Sequence, residues 1–160
     1  MSAKTYVPQG GQPAPLQIGA TLEALWSVIA ARHRDGDERS YTYRLLTGRI
    51  DGVLKKVMEE AGEVALAAKD AEASAAAVRA HEGASSMSDA AKAALADASD
   101  AACDHLRYEA ADVVYHLLVV LERFGIDLDE FAAELNSRMT ESERPRGAAL
   151  IVPDHVKRGK

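Results

Sequence analysis

What the chain lacks excludes several large classes of protein. Its single cysteine, Cys103, can form neither an internal disulfide nor a cysteine-based zinc site. Aromatic residues make up only 5% of the chain, and no run approaches the roughly 18 apolar residues that a membrane span needs. The opening MSAKTYVPQGGQPAP has no apolar centre of the kind a secretory signal carries, so a cytoplasmic protein without a membrane partner is expected. Positive charge is scarce as well. Nineteen Lys and Arg against 25 Asp and Glu give a formal net charge of −6, which argues against nucleic acid as a partner. There is no Walker-type glycine loop and no Ser-His-Asp or Cys-His arrangement. Strand-like alternation is also rare.

What remains is a chain with 48% hydrophobic residues, rich in alanine, leucine and valine. That content supports one core and an all-α bundle. The most informative stretch is IDGVLKKVMEEAGEVALAAK, Ile50 to Lys69. Ile50, Val53, Leu54, Val57, Ala61, Val64 and Ala68 recur at three- and four-residue steps, predicting an amphipathic helix with that stripe inward. At about 100° per residue, Glu60 and Glu63 fall beside the stripe on the flank of Lys56, whereas Glu59 falls nearly opposite.

HLRYEAADVVYHLLVVLERF repeats the arrangement. Leu106, Ala110, Val113, Leu117, Val120 and Phe124 form the expected stripe, with Glu109, Asp112 and His116 on one flank. If the two stripes pack together, Glu60 and Glu63 face Glu109 and Asp112 across the groove. Four converging carboxylates repel one another unless a cation joins them, and an all-oxygen site suits Mg²⁺, or Mn²⁺, better than zinc. A ferritin-like di-iron bundle is disfavoured because no Glu-x-x-His motif occurs.

Glu60-x-x-Glu63 followed by Glu109-x-x-Asp112 resembles the metal-binding signature of the all-α, MazG-like nucleoside triphosphate pyrophosphatases. SYTYRLL (Ser40 to Leu46), LKKVMEEAGEVALAAKD (Leu54 to Asp70) and EAADVVYHLLVVL (Glu109 to Leu121) are similar to phosphoribosyl-ATP pyrophosphohydrolases in particular. The resemblance covers Leu22 to Asp70 and His105 to about Met139. It implies Mg²⁺-dependent hydrolysis of phosphoribosyl-ATP to phosphoribosyl-AMP and pyrophosphate, a step of histidine biosynthesis, by a homodimer. A fused cyclohydrolase is not expected, for want of length and of cysteines. In the resembled enzymes the SYT segment lies near the active site, which makes Ser40, Tyr41 and Arg44 substrate contacts and Arg49 a similar case. A histidine follows the acidic pair at the spacing of His116, implying a supporting or substrate-contact role. The implied mechanism uses Glu60, Glu63, Glu109 and Asp112 as metal ligands, Lys56 and Lys55 on phosphate, and Glu59 or Glu63 to activate water. Two other readings compete with it: a house-cleaning nucleotide pyrophosphatase of the MazG-like kind, and a non-catalytic helical interaction module.

The rest of the chain completes the plan. Residues 1–20 read as an arm, 21–140 as the helical domain and 141–160 as a tail bearing Arg144, Arg146, Lys157, Arg158 and Lys160. Leu22, Leu25, Trp26 and Ile29 predict a first helix capped by Thr21 and ending at His33. Ser40 caps a short helix that ends near Gly48. Residues 71–104 depart from the family pattern as an alanine-rich insertion, read as a helical hairpin that breaks at Gly83 to Ser86 and restarts at Ser88, with a disordered tether as the alternative. Gly125 and the pair Asp127 and Glu130 close one helix and open the last, in which Leu128, Phe131, Leu135 and Met139 are expected inward.

Overall fold

In a computed structural model, residues 17–81 and 87–151 are described. Residues 1–16 of the predicted arm, the break at Gly83 to Ser86 and the basic residues Lys157, Arg158 and Lys160 lie outside them. Among the described residues there are five helices and no strand: α1 (Gln17–Asp35), α2 (Tyr41–Thr47), α3 (Ile50–His81), α4 (Asp89–Arg123) and α5 (Leu128–Asn136). The framework is the long antiparallel pair α3 and α4. At 1.5 Å per residue, α3 is about 48 Å long. α1 packs on α4 and α2, while α2 also touches α3.

The caps anticipated from the sequence form. Ser40 Oγ accepts from the Tyr43 N–H at the start of α2, and Ser88 Oγ accepts from the Ala91 N–H at the start of α4. At α5, Asp127 accepts from the Glu130 N–H at 2.8 Å, and Glu130 accepts from the Asp127 N–H at 3.2 Å, a reciprocal capping box. Gly125, at φ 66°, takes the left-handed position after α4. α1 begins earlier than expected. Gln17 to Ala20 are helical and Thr21 is internal, because the turn ahead of Thr21 is itself capable of helix and Thr is only a weak terminator. Between Glu141 and Ile151 the chain turns back on α5, with Arg144 Nε donating to the Asn136 and Met139 carbonyls at 3.0 Å each.

The stripes are rotated from those predicted. On α3 the buried positions are Val53, Glu60, Ala67 and Ala71, with Val57 and Val64 half-buried between them. This is a regular alternation of four- and three-residue steps, the seam of a two-helix coiled coil. Leu54, Ala61 and Ala68, expected inward, are exposed. On α4 the seam runs through Leu106, Glu109, Val113, His116 and Val120, whereas Ala110 and Phe124 face out. The discrepancy has one cause. The prediction kept charged side chains off the seam, and the protein places two carboxylates and an imidazole in it. Leu135 on α5 is also exposed, and Ala133 is the buried residue there.

The hydrophobic core sits at one end of the α3/α4 pair. Ile29, Leu46, Val53, Leu118, Val119 and Leu121 form it, with Trp26, Phe131 and Leu128 packed around. α2 is fastened to this core at both ends. At its start, Arg32 of α1 donates to Thr42 Oγ1 and Thr42 meets the Tyr115 hydroxyl of α4, each at 2.8 Å. At its end, the Arg123 guanidinium donates to the carbonyls of Leu45, Leu46 and Gly48 at 2.8 to 2.9 Å, satisfying carbonyls that have no partner within the helix.

Gly48 is required at this junction by space rather than by backbone angle. Its φ is −70°, yet a Cβ there would lie 2.6 Å from the Arg44 carbonyl oxygen. Gly48→Ala is therefore expected to destabilise the protein by about 1–3 kcal/mol in urea unfolding, the usual cost of overpacking. Gly62→Ala, at a mid-helix site with nothing within 4 Å of the added carbon, should be neutral or stabilising by up to about 1 kcal/mol.

Candidate active site

Glu60 and Glu63 of α3 and Glu109 of α4 converge, each offering a carboxylate oxygen within 4.8 Å of the others. Their burial is graded. Glu60 is 5% and Glu109 7% exposed, while Glu63 opens to solvent. The trio thus has a dry floor and a wet rim. Asp112, one turn beyond Glu109, is half-buried and stands outside the trio.

The counter-charges are unevenly shared. Lys56 Nζ lies 3.3 Å from Glu60 Oε1 and 3.1 Å from Glu59 Oε2, and Lys55 lies 3.1 Å from Glu59 Oε1. Glu59 is therefore gripped by a lysine at each oxygen. Those lysines, Lys55 foremost, hold its carboxyl below the usual range, and Glu59 in turn holds Lys56 firmly protonated. Glu63 has the opposite surroundings. Its hydrogen bond to Glu60, loss of hydration and the charge of Glu109 raise its carboxyl above the ordinary value. Among the described residues no ion pair offsets Glu63. A group of facing carboxylates with one uncompensated member, all of them oxygen donors, fits a hard divalent cation.

His116 joins α2 to this group. Its Nδ1 lies 2.9 Å from the Asp112 carbonyl oxygen, which can only accept, so Nδ1 carries the proton. In the neutral ring Nε2 is then free to accept from the Tyr41 hydroxyl, 3.3 Å away. Glu60 Oε1 stands 3.8 Å from Nδ1, too far for a hydrogen bond but close enough for electrostatic contact. Partial burial raises the Tyr41 hydroxyl above its ordinary value, with the charge of Lys56 opposing that shift. Tyr41, Lys56, Glu59 and Glu60 thus line one side of the site.

The other residues singled out from the sequence are placed less directly. Ser40 caps α2, so its hydroxyl is engaged by the Tyr43 N–H. Arg44 turns back to the carbonyls of Glu38 and Arg39, and Arg49 pairs with Asp51 at 2.9 Å. Sequence reasoning passed over Thr42 and Tyr115, which together with Arg32 lock α2 behind Tyr41. It also passed over His105, which touches Glu109. Only the four-residue step from His105 to Glu109 was there to be read. The Thr42 contacts span three helices and leave no local pattern.

Fold and site together describe a helical protein that gathers carboxylates from two antiparallel helices beside a pair of lysines. The family model of phosphoribosyl-ATP pyrophosphohydrolase matches residues 22–139. Among similar proteins, a phosphoribosyl-ATP pyrophosphatase of Limosilactobacillus fermentum is 35% identical over 117 residues, covering 73% of this chain and 82% of its own. One from Pyrobaculum calidifontis is 36% identical over 118 residues, covering 74% and 94%. The histidine biosynthesis bifunctional protein HisIE of Bacillus subtilis is 34% identical over 122 residues, covering 76% of this chain and 44% of that longer protein. No solved structure matches significantly. The chain belongs to the phosphoribosyl-ATP pyrophosphohydrolase family. None of its described helices is long and apolar enough to cross a membrane.

The raised carboxyl of Glu63 has a sign that can be checked. A carboxyl whose folded value exceeds its unfolded one makes the native state bind the extra proton, so stability falls as pH rises through that window. The penalty is absent well below the ordinary glutamate value of 4.5 and complete above the raised folded value. In metal-free protein, Glu63→Gln should therefore melt at higher temperature than the wild type at pH 7.5, with the advantage vanishing near the bottom of the window. Equal melting at both pH values would show that the trio is not under repulsion.

Proposed function

We propose that this chain hydrolyses phosphoribosyl-ATP to phosphoribosyl-AMP and pyrophosphate, the histidine-biosynthesis step, with Mg²⁺, or Mn²⁺, as its cofactor. The observation that carries this reading is the meeting of Glu60 and Glu63 with Glu109, in a chain of this family. Glu60, Glu63 and Glu109 would hold the ion, with Asp112 next in line on α4. Bound there, a divalent cation supplies charge neutralisation for a triphosphate that carries about four negative charges at neutral pH.

The chain's own residues account for the rest. Lys55 and Lys56 are held beside the carboxylates by Glu59, and on this reading they would meet phosphate oxygens. Because both oxygens of Glu59 are engaged by lysines, orientation and deprotonation of the attacking water fall more naturally to Glu63. Water adds at phosphorus, the anhydride bond breaks, the water proton passes to the base, and pyrophosphate leaves. Tyr41, ordered by His116, lines the substrate side. Ser40 and Arg44 support this role by fixing the start of α2.

A homodimer belongs to the same proposal. Leu54, Met58, Ala61 and Ala65 form an exposed apolar strip along α3 beside the seam, with Leu54 45% and Met58 74% accessible. A second copy packed there accounts for apolar residues spaced as though for burial. Met58→Glu is expected to shift the mass in light scattering from two chains toward one. An unchanged mass would place any interface elsewhere.

The test of the activity sets purified protein and Mg²⁺ against phosphoribosyl-ATP and a panel of ordinary nucleoside triphosphates, following pyrophosphate release. Strong preference for phosphoribosyl-ATP is expected. Comparable turnover of the ordinary triphosphates favours a house-cleaning pyrophosphatase, and no metal-dependent turnover of any substrate defeats the hydrolase reading. Glu60→Gln should lower kcat/KM by at least about 100-fold, beyond the range for residues that only support a ligand. Its fold should survive, because the substitution removes a buried charge.

A further inference from the structure

His105 has no part in the scheme above. It lies one turn ahead of Glu109 on α4, with Nε2 2.9 Å from Glu109 Oε1. At that length the ring N–H donates and the carboxylate oxygen accepts. The two differ sharply in environment, the His105 side chain being 58% accessible and the Glu109 side chain, counted without its backbone, 9%. The imidazole stands at the rim and reaches inward to a carboxylate on the dry side of the trio.

The three carboxylates are therefore held differently. Glu60 has the ammonium of Lys56, a point charge on a flexible stem. Glu63 faces the other two acids. Glu109 has a planar donor at a four-residue helical spacing, a geometry that fixes direction as well as distance. A neutral ring is sufficient for this contact, since one ring nitrogen always carries a proton. The hydrogen bond thus fixes which way the Glu109 carboxylate faces before anything binds. Hydrogen-bonded supports of this kind set ligand orientation in metal sites.

From this arrangement we infer that His105 is a positioning residue for Glu109, holding one carboxylate oxygen so that the group faces Glu60 and Glu63 and receives a divalent ion in a preformed orientation. The inference rests on the metal reading given under Proposed function. The competing account is an ordinary helix-surface pair, which would contribute to helix stability alone.

Mn²⁺ titration of the full chain, followed by the paramagnetic resonance of the free ion, separates these accounts. His105→Ala should weaken Mn²⁺ binding about 10-fold, the lower end of the range for residues that support a metal ligand. His105→Gln should recover most of the affinity, because a side-chain amide N–H can donate at the same spacing. On a Glu109→Gln background, His105→Ala should cost nothing further, since the two act as one unit. Wild-type affinity in His105→Ala would overturn the inference while leaving the metal site standing. So would nitrogen hyperfine coupling on bound Mn²⁺ that disappears in His105→Ala, since His105 would then be a ligand itself. If wild-type protein takes up no Mn²⁺, the metal reading falls and this inference falls with it.

Discussion

The structure turns on the placement of carboxylates inside a helix–helix seam. Positions 60 of α3 and 109 of α4 occupy steps where a two-helix coiled coil carries apolar residues, and both are glutamates that are almost fully buried. Buried carboxylates are costly unless paired, and the pairing here is incomplete: Lys56 and His105 each serve one member, and Glu63 has none among the described residues. Such a seam does not hold by its own packing at that level. It is held from both sides, by the core around Ile29, Val53 and Val119 at one end and by the small-residue contacts of Ala67 and Ala71 toward the other.

That division of labour explains the role of α2. A seven-residue helix has little stability of its own. Here it is pinned by Arg32, Thr42 and Tyr115 at its start and by Arg123 at its end, through side chains contributed by α1 and α4. The consequence is local to the site. Tyr41 is carried to His116 by a backbone whose position is fixed from two directions, and His116 is itself oriented by the Asp112 carbonyl. Rigid support of this sort lets a half-exposed side chain keep its geometry without being buried.

Much of the fold was legible from the sequence, because helix signals are local. The caps at Ser40, Ser88 and Asp127 and the turn at Gly125 follow from short patterns, and the structure forms each of them. The rotation of the seam was not legible. Periodicity alone assigned Leu54, Ala61 and Ala68 to the interior, since an apolar residue and a carboxylate one step apart compete for the same face and the apolar one normally wins. At Glu60 and Glu109 it does not. The Thr42 network was hidden for a different reason: its members come from three helices, and each looks ordinary in isolation. Local rules fail where the site is built, as expected when a chain gives up packing for chemistry.

The gradient of burial across the trio has a further consequence for how an anion approaches. Glu60 and Glu109 form the dry side, while Glu63 faces water, and the lysines reach the same region through Glu59 and Glu60. On the proposed reading, a polyanion arriving from solvent would meet Lys55 and Lys56 before the deepest acids. Every lysine charge moved to a phosphate oxygen would be withdrawn from Glu59 or Glu60 and leave those carboxylates more negative. Anion and cation would therefore favour each other's arrival, because each relieves the charge imbalance that the other creates. On that reading, the incomplete pairing of the seam, a defect in packing terms, is what would make the site receptive to both.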